Sequence, residues 1–237
     1  MSVIDSEVAV QGFEQKVAAT TATLEGIAAN FSPAVFASSL AAEDMVLTDL
    51  ILRHQLNIEI FSLETGRLHA ETLAMLDKVK AQYGYEIALF RPEPSAVDTY
   101  VASYGLNGFY DSVEARKECC RVRKVEPLNR ALSGKKAWIT GQRRAQSSTR
   151  SELAVQEDDD AHQMQKFNPL ADWTEADVWQ YIRNKNVPYN ALHDKGYPSI
   201  GCEPCTRAIQ AGEDVRAGRW WWENPESKEC GLHVKKA

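Results

Sequence analysis

The feature that most narrows the fold is a repeated order along the chain: a short apolar run, a turn, then a stretch whose apolar residues recur at helical spacing. The runs at 34–38, 58–63 and 85–90 read as buried strands, and the stretches at 43–54, 67–83 and about 95–104 read as the helices that follow them. A fourth buried strand is expected at 136–140. Strands joined by helices of this length make βαβ units, so the fold class is α/β, a parallel twisted sheet with helices on both faces. Val8, Phe13, Val17, Leu24 and Ile27 predict an N-terminal helix or pair of helices within 7–30. Thr174 followed by Asp177 is a capping-box pattern that starts a helix carrying Val178, Trp179, Tyr181 and Ile182. The acidic run 157–160 is expected to be a solvated loop. No Pro/Ser-rich linker, composition break or internal repeat divides the 237 residues, so a single domain is expected.

Charge and cysteine usage bound the function. With 27 Lys and Arg against 33 Asp and Glu, the net charge is −6, which argues against nucleic acid as a partner because such binders need a cationic face to displace counterions. Residues 1–10 carry Asp5 and Glu7 where a signal peptide has Lys or Arg, and no run approaches the ~20 apolar residues that span a bilayer. A cytoplasmic protein with no membrane partner is therefore expected, and in that compartment clustered cysteines bind metal or react rather than form bridges.

Five cysteines are present. Cys119 and Cys120 are adjacent, and Cys202 and Cys205 form C-x-x-C about 80 residues later. Two close pairs match the ligand count of tetrahedral zinc or of a four-iron cluster, and spacing does not choose between them. Cys230 stands apart in Lys-Glu-Cys-Gly-Leu-His. A nucleophilic role there needs neighbouring cations to stabilise the thiolate, and Lys228, His233, Lys235 and Lys236 are close in sequence. Ser38 and Ser39 open a strand-to-helix turn, where backbone N–H groups can bind phosphate. Arg143, Arg144 and Arg150 follow the fourth strand, a basic stretch from Arg116 includes Arg121, Arg123 and Lys124, and Arg216 and Arg219 lie near the C-terminus. Such clustering in an acidic chain favours a small, multiply charged anion.

Taken in order, several motifs resemble one family: Cys119-Cys120 with the following Arg-x-Arg-Lys, Gly-Cys-x-Pro-Cys-Thr at 201–206, and Lys-Glu-Cys-Gly-Leu-His at 228–233. Ser38-Ser39, Glu-Thr-Gly-Arg-Leu at 64–68, Gly-x-Arg-Arg-x-Gln-Ser at 141–147, Asn-Pro-Leu at 168–170, Gly-Tyr-Pro-Ser-Ile-Gly at 196–201 and Arg216-x-Gly-Arg219 join them. They resemble the bacterial assimilatory adenylylsulfate (APS) reductases of the phosphoadenylylsulfate reductase family, from about Phe36 onward. The resemblance implies an adenine-nucleotide α-hydrolase-like fold that reduces APS to sulfite and AMP with thioredoxin or a similar thiol donor. It implies that Cys119, Cys120, Cys202 and Cys205 hold a [4Fe-4S] cluster and that Cys230 is the nucleophile. Within it, Ser38 and Ser39 bind the α-phosphate, Leu63 and nearby backbone form the adenosine pocket, and Lys124, Arg143, Arg144, Arg216 and Arg219 neutralise the sulfate and phosphate. The chain then divides into an N-terminal helical segment (1–30), a nucleotide-binding core (31–190) and a cysteine-rich loop with a catalytic tail (191–237). One departure from related ATP pyrophosphatases is the first loop, 38–44, which has no glycine. Reduction of the 3′-phosphorylated substrate, and a structural-zinc nucleotide-binding module, are the alternative readings. A homo-oligomer is left open.

Overall fold

The computed structural model describes residues 3–147 and 150–224. Six strands, β1 (Ala34–Ala37), β2 (Ile58–Leu63), β3 (Ala88–Phe90), β4 (Ala137–Ile139), β5 (Gln156–Asp159) and β6 (Met164–Phe167), form one sheet in the order β3-β2-β1-β4-β6-β5. Seven α-helices are described: α1 (Val3–Asn30), α2 (Ala42–Arg53), α3 (Ala70–Tyr83), α4 (Pro94–Tyr104), α5 (Val113–Cys120), α6 (Glu126–Leu132) and α7 (Glu175–Lys185). The pairs β1–β4, β4–β6 and β2–β3 are parallel, with Phe36 opposite Ile139 and Phe61 opposite Ala88. By its contacts the chain forms two compact units. One comprises Met1–Ser38, Ala42–Ile60 and Gly134–Pro188, and the other Ser39–Ala41, Phe61–Ser133 and Tyr189–Ala237.

In the first unit β4 is buried throughout and β1 up to its last residue, Ala37, which is why they read as unbroken apolar runs rather than alternating ones. The strand order reverses between them, and in open α/β sheets the crevice outside the strand ends at such a reversal is where ligands bind. Ser38 follows β1, and Thr140 to Gln142 follow β4. Gly141 is required there, because a Cβ at this position would overlap the carboxylate of Asp44 in the first turn of α2. α1 is one continuous helix. Its Phe13 meets Trp173 edge-on at 6.0 Å, and Trp173 Nε1 donates to Thr20 Oγ1 at 3.0 Å. The capping box of α7 forms as the sequence predicts, with Thr174 accepting from Asp177 N and the Asp177 carboxylate accepting from Thr174 N. α2 and α7 pack together, and the fully buried Asp49 accepts from Arg53 Nε at 2.7 Å and from Tyr181 OH at 2.8 Å.

Two expectations are corrected here. The acidic run 157–160 is not a solvated loop: most of it is β5, antiparallel to β6, so the sheet is mixed rather than wholly parallel. Cross-strand and local polar pairs replace the apolar alternation that would have marked a strand. Lys166 Nζ sits 2.8 Å from Glu157, and Asp159 accepts from Trp138 Nε1 at 2.8 Å. The third strand is also shorter than its apolar run, beginning at Ala88.

In the second unit, α3, β3 and α4 follow as the spacing predicts. α3 ends at Gly84, whose φ of 66° supplies the left-handed stop. The glycine-free first loop still uses a left-handed residue, Leu40, at φ 63° with its side chain buried. An L-residue there carries about 1–2 kcal/mol of backbone strain.

Two outcomes follow for stability. Tyr181→Phe removes a hydrogen bond to a buried carboxylate and should lower unfolding free energy by about 1.5–3 kcal/mol in urea titration. Burial raises the Asp177 carboxyl, but Lys16 Nζ at 2.6 Å and the Thr174 contacts outweigh it and hold the group below its ordinary value. Its stabilising contribution is therefore complete above the unfolded carboxylate value of about 3.9 and is lost as pH falls through the lower folded one, so Asp177→Asn should flatten the acid limb of the stability curve.

Candidate cysteine-lined site

The site is built within the second unit on one helical run. Ser112 caps α5 by accepting from Ala115 N at 3.0 Å, and α5 ends at Cys120. Residues Arg121–Val125 then form a π turn before α6, in which Glu126 N donates five residues back, to Arg121 O. Pro127 explains the change of register. It has no N–H for the Arg123 carbonyl, and its ring crowds the carbonyl four residues back. Arg116, Cys119, Cys120, Arg123 and Lys124 recur at i, i+3, i+4, i+7 and i+8, so they share one stripe, and all line the same cavity.

The second cysteine pair enters on a short 3₁₀ turn, Glu203–Cys205, with Cys205 N donating to Cys202 O at 3.0 Å. Thr206 Oγ1 ties the turn by accepting from Gly201 N at 3.1 Å and donating to Cys202 O at 2.9 Å. Glu203 N donates to Arg67 O at 2.8 Å on one side and Trp220 N donates to Cys205 O at 3.1 Å on the other. The turn is thereby held between two chain segments, and Cys202 and Cys205 line the same cavity as Cys119 and Cys120. Thr65 Oγ1 lies 3.3 Å from Cys202 Sγ, and Arg123 donates to Thr65 O at 2.8 Å.

Buried charge surrounds the thiols. Arg116 is 0% exposed and holds both oxygens of Glu223 at 2.8 Å, with its guanidinium 5.0 Å from the Trp220 ring. Burial opposes that charge, and Glu223 and Cys120 outweigh it to keep Arg116 protonated. Arg219 lies 4.7 Å from the same ring and donates to Ser199 Oγ at 3.2 Å. Burial pushes the Cys119 thiol up, Arg123 and Lys124 oppose the rise, and Cys202 adds to it. Cys205 is pushed up to about 12 by burial and by Cys202, Cys120 and Cys119, against the pull of Lys124. Cys119 and Cys205, which resist ionisation beside two further cysteines, suit a centre that takes thiolate charge, since metal binding deprotonates thiols outright. Two buried donors, Tyr100 OH and Trp220 Nε1, have no acceptor among the described residues. Trp220 lines the cavity and Tyr100 lies in the electrostatic field of Cys119 and Cys120. An acceptor-rich group such as a thiolate-ligated sulfide cluster fits these orphans. Among the described residues, no group of three or more His, Cys, Asp and Glu is arranged to hold a metal ion.

The other expected site residues fall as follows. Lys124 faces the cysteines, and Arg219 lines their cavity. Arg216 is half-buried in the same unit, its N–H donating to Asp214 at 2.8 Å. Leu63 ends β2, half-buried, and Ser39 is exposed. In the first unit Ser38 is buried, Arg143 is paired with Glu43 at 2.6 Å, and Arg144 is paired with Asp172. Cys230 and the four basic residues near it lie outside the described residues. Arg116, Thr65, Tyr100 and Trp220 are additions around the cysteines. Arg116 was already in the basic stretch and Thr65 in the 64–68 motif, and helical spacing ties Arg116 to 119, 120, 123 and 124, whereas nothing in sequence tied 100 or 220 to that stripe.

Breaking the buried pair tests this packing. Glu223→Ala leaves Arg116 uncompensated and should cost about 3–5 kcal/mol in urea titration, whereas Arg121→Ala, which breaks only the exposed pair with Glu118, should cost no more than about 1 kcal/mol.

Residues 33–208 match the family described as Phosphoadenosine phosphosulfate reductase domain. The chain is 63% identical over 219 residues to a Burkholderia cepacia protein named Adenosine 5′-phosphosulfate reductase, covering 92% of this chain and 88% of the relative. Among solved structures it is similar to phosphoadenylyl-sulfate (PAPS) reductase from Candida auris in a phosphate complex, with TM-score 0.69 and 25% identity over 81% of this chain and 90% of that one. It is also similar in fold to Candida glabrata FMN adenylyltransferase in complex with FAD and pyrophosphate, with TM-score 0.58 and 15% identity over 96% of this chain and 76% of that one. These neighbours place the sheet in the adenine-nucleotide α-hydrolase-like fold.

Proposed function

Because the chain belongs to the phosphoadenosine phosphosulfate reductase domain family, we propose that it reduces adenosine 5′-phosphosulfate to sulfite and AMP in assimilatory sulfate reduction, with a thiol donor of thioredoxin type in the cytoplasm. The observation that carries this reading is the convergence of Cys119, Cys120, Cys202 and Cys205 with Lys124 and Arg123 around one cavity. These four thiolates hold a [4Fe-4S] cluster, which when bound supplies fixed local charge and orders the basic helical stripe. Chain 1–237 acts as one functional domain, with the C-x-x-C turn and the reactive cysteine both supplied by its 191–237 segment.

In the reaction the Cys230 thiolate attacks the sulfur of APS. The new S–S bond forms as the S–O bond to the phosphate breaks, and AMP leaves with that electron pair. A donor thiolate then attacks the Cys230 sulfur of the S-sulfocysteine and expels sulfite, and the donor's second thiol resolves the mixed disulfide to return Cys230 as a thiol. The donor is oxidised by two electrons and the substrate sulfur reduced by two. Nucleophile and substrate are both anionic, and two unit charges 4 Å apart repel by ~4 kcal/mol at an effective dielectric of 20, about three orders of magnitude in rate. Lys124, Arg216 and Arg219 offset that repulsion at the sulfate, Ser38 and Ser39 hold the α-phosphate, Leu63 borders the adenosine, and Arg143 and Arg144 neutralise anionic oxygens with guanidiniums that Glu43 and Asp172 orient.

Cys230→Ser should abolish sulfite formation while leaving APS binding, iron content and visible absorbance unchanged; loss of iron in that variant would instead make Cys230 a ligand. Assayed side by side, APS should be reduced far faster than its 3′-phosphate, and the reverse preference would overturn the substrate assignment. Zinc in place of iron and sulfide in anaerobically purified protein would favour a structural metal site.

A further inference from the structure

Tyr100, on α4, is 3% exposed, and its hydroxyl is buried with no well-formed hydrogen bond among the described residues. The ring cannot easily turn to find one. It stacks on Tyr104 with centroids 5.3 Å apart and planes at 27°, and a Cβ at the buried Gly108 would stand 3.7 Å from the hydroxyl and 2.7 Å from Tyr104 Cβ. The absent Cβ at 108 makes room for Tyr104, which in turn holds the Tyr100 ring by stacking. α4 packs on α5 and on the π turn, the run that carries the vicinal cysteines. The groups whose charge the hydroxyl feels are Cys119, Arg123 and Cys120, and of these the Cys119 thiol is the one near enough to share a weak hydrogen bond with it.

A buried O–H without an acceptor is destabilising by about 1–3 kcal/mol, and phenylalanine would fill nearly the same volume without that penalty. Arg123 is itself only a donor, so it cannot satisfy the hydroxyl, and a neutral thiol is a weak acceptor. A metal-bound thiolate is a strong one. We propose that the Tyr100 hydroxyl is a hydrogen-bond donor to the metal-bound Cys119 thiolate and positions that ligand, an inference that rests on the four-cysteine cofactor reading above. Tyr100 is a positioning residue in this account: it acts on a ligand and touches neither substrate nor the reacting sulfur.

The consequence is a change of sign between the two forms of the protein. In the full-length metal-free protein, Tyr100→Phe should leave the urea midpoint unchanged or raise it, because it deletes an orphaned donor. In the iron-loaded protein the same substitution should speed iron release to a chelator by about 10–100-fold, the usual scale for loss of a group that orients a metal ligand. Tyr104→Phe, which alters the exposed stacking partner, should change neither quantity. Equal release rates in fully loaded wild type and Tyr100→Phe would overturn the proposal, as would a lower urea midpoint for the metal-free variant, which would make the hydroxyl an ordinary bond of the fold. Wild-type protein that takes up no iron and sulfide under anaerobic reconstitution would overturn the cofactor reading itself and the proposal with it.

Discussion

Four cysteines lining one cation-lined cavity are the constraint on which the rest of the second unit depends. Sulfur atoms packed in this way resist ionisation one by one, as the upward shifts of Cys119 and Cys205 express. The surrounding structure is arranged around that tension. A π turn follows the vicinal pair, imposed by a proline that cannot serve the carbonyl four residues before it. A 3₁₀ turn presents the other pair and is tied by its own threonine and by two neighbouring segments.

Around the thiols, buried cations are handled in two ways. Arg116 is neutralised in place by Glu223, so its charge orders the fold rather than attracting a ligand. Lys124 and Arg123 instead lie on the same stripe as the cysteines and lower the cost of placing negative charge there. An acidic chain can in this way keep a locally basic interior.

Much of the fold was legible. The strand and helix runs of 34–104 and the strand before Thr140 needed only periodicity, because parallel strands buried on both faces write themselves as apolar runs. The Thr174–Asp177 cap was equally direct, since its two hydrogen bonds are local to four residues. β5 was missed because its stability comes from partners nine residues or more away, Lys166 and Trp138. The cysteine set was legible as two local pairs and as motifs of a family, and the helical spacing around it could have exposed Arg116.

The sequence by itself determined the α/β alternation, the excess of acid over base, and two local cysteine pairs with a fifth set apart, because each of these rests on near neighbours or on counting. Only the tertiary structure decided that 119–120 and 202–205 share one cavity, that Arg116 is spent on Glu223, and that the Tyr100 hydroxyl is shut in beside the thiols without a well-formed hydrogen bond. Those facts depend on how segments distant in the chain pack, and a buried donor is recognised as orphaned only when everything within its reach has been placed.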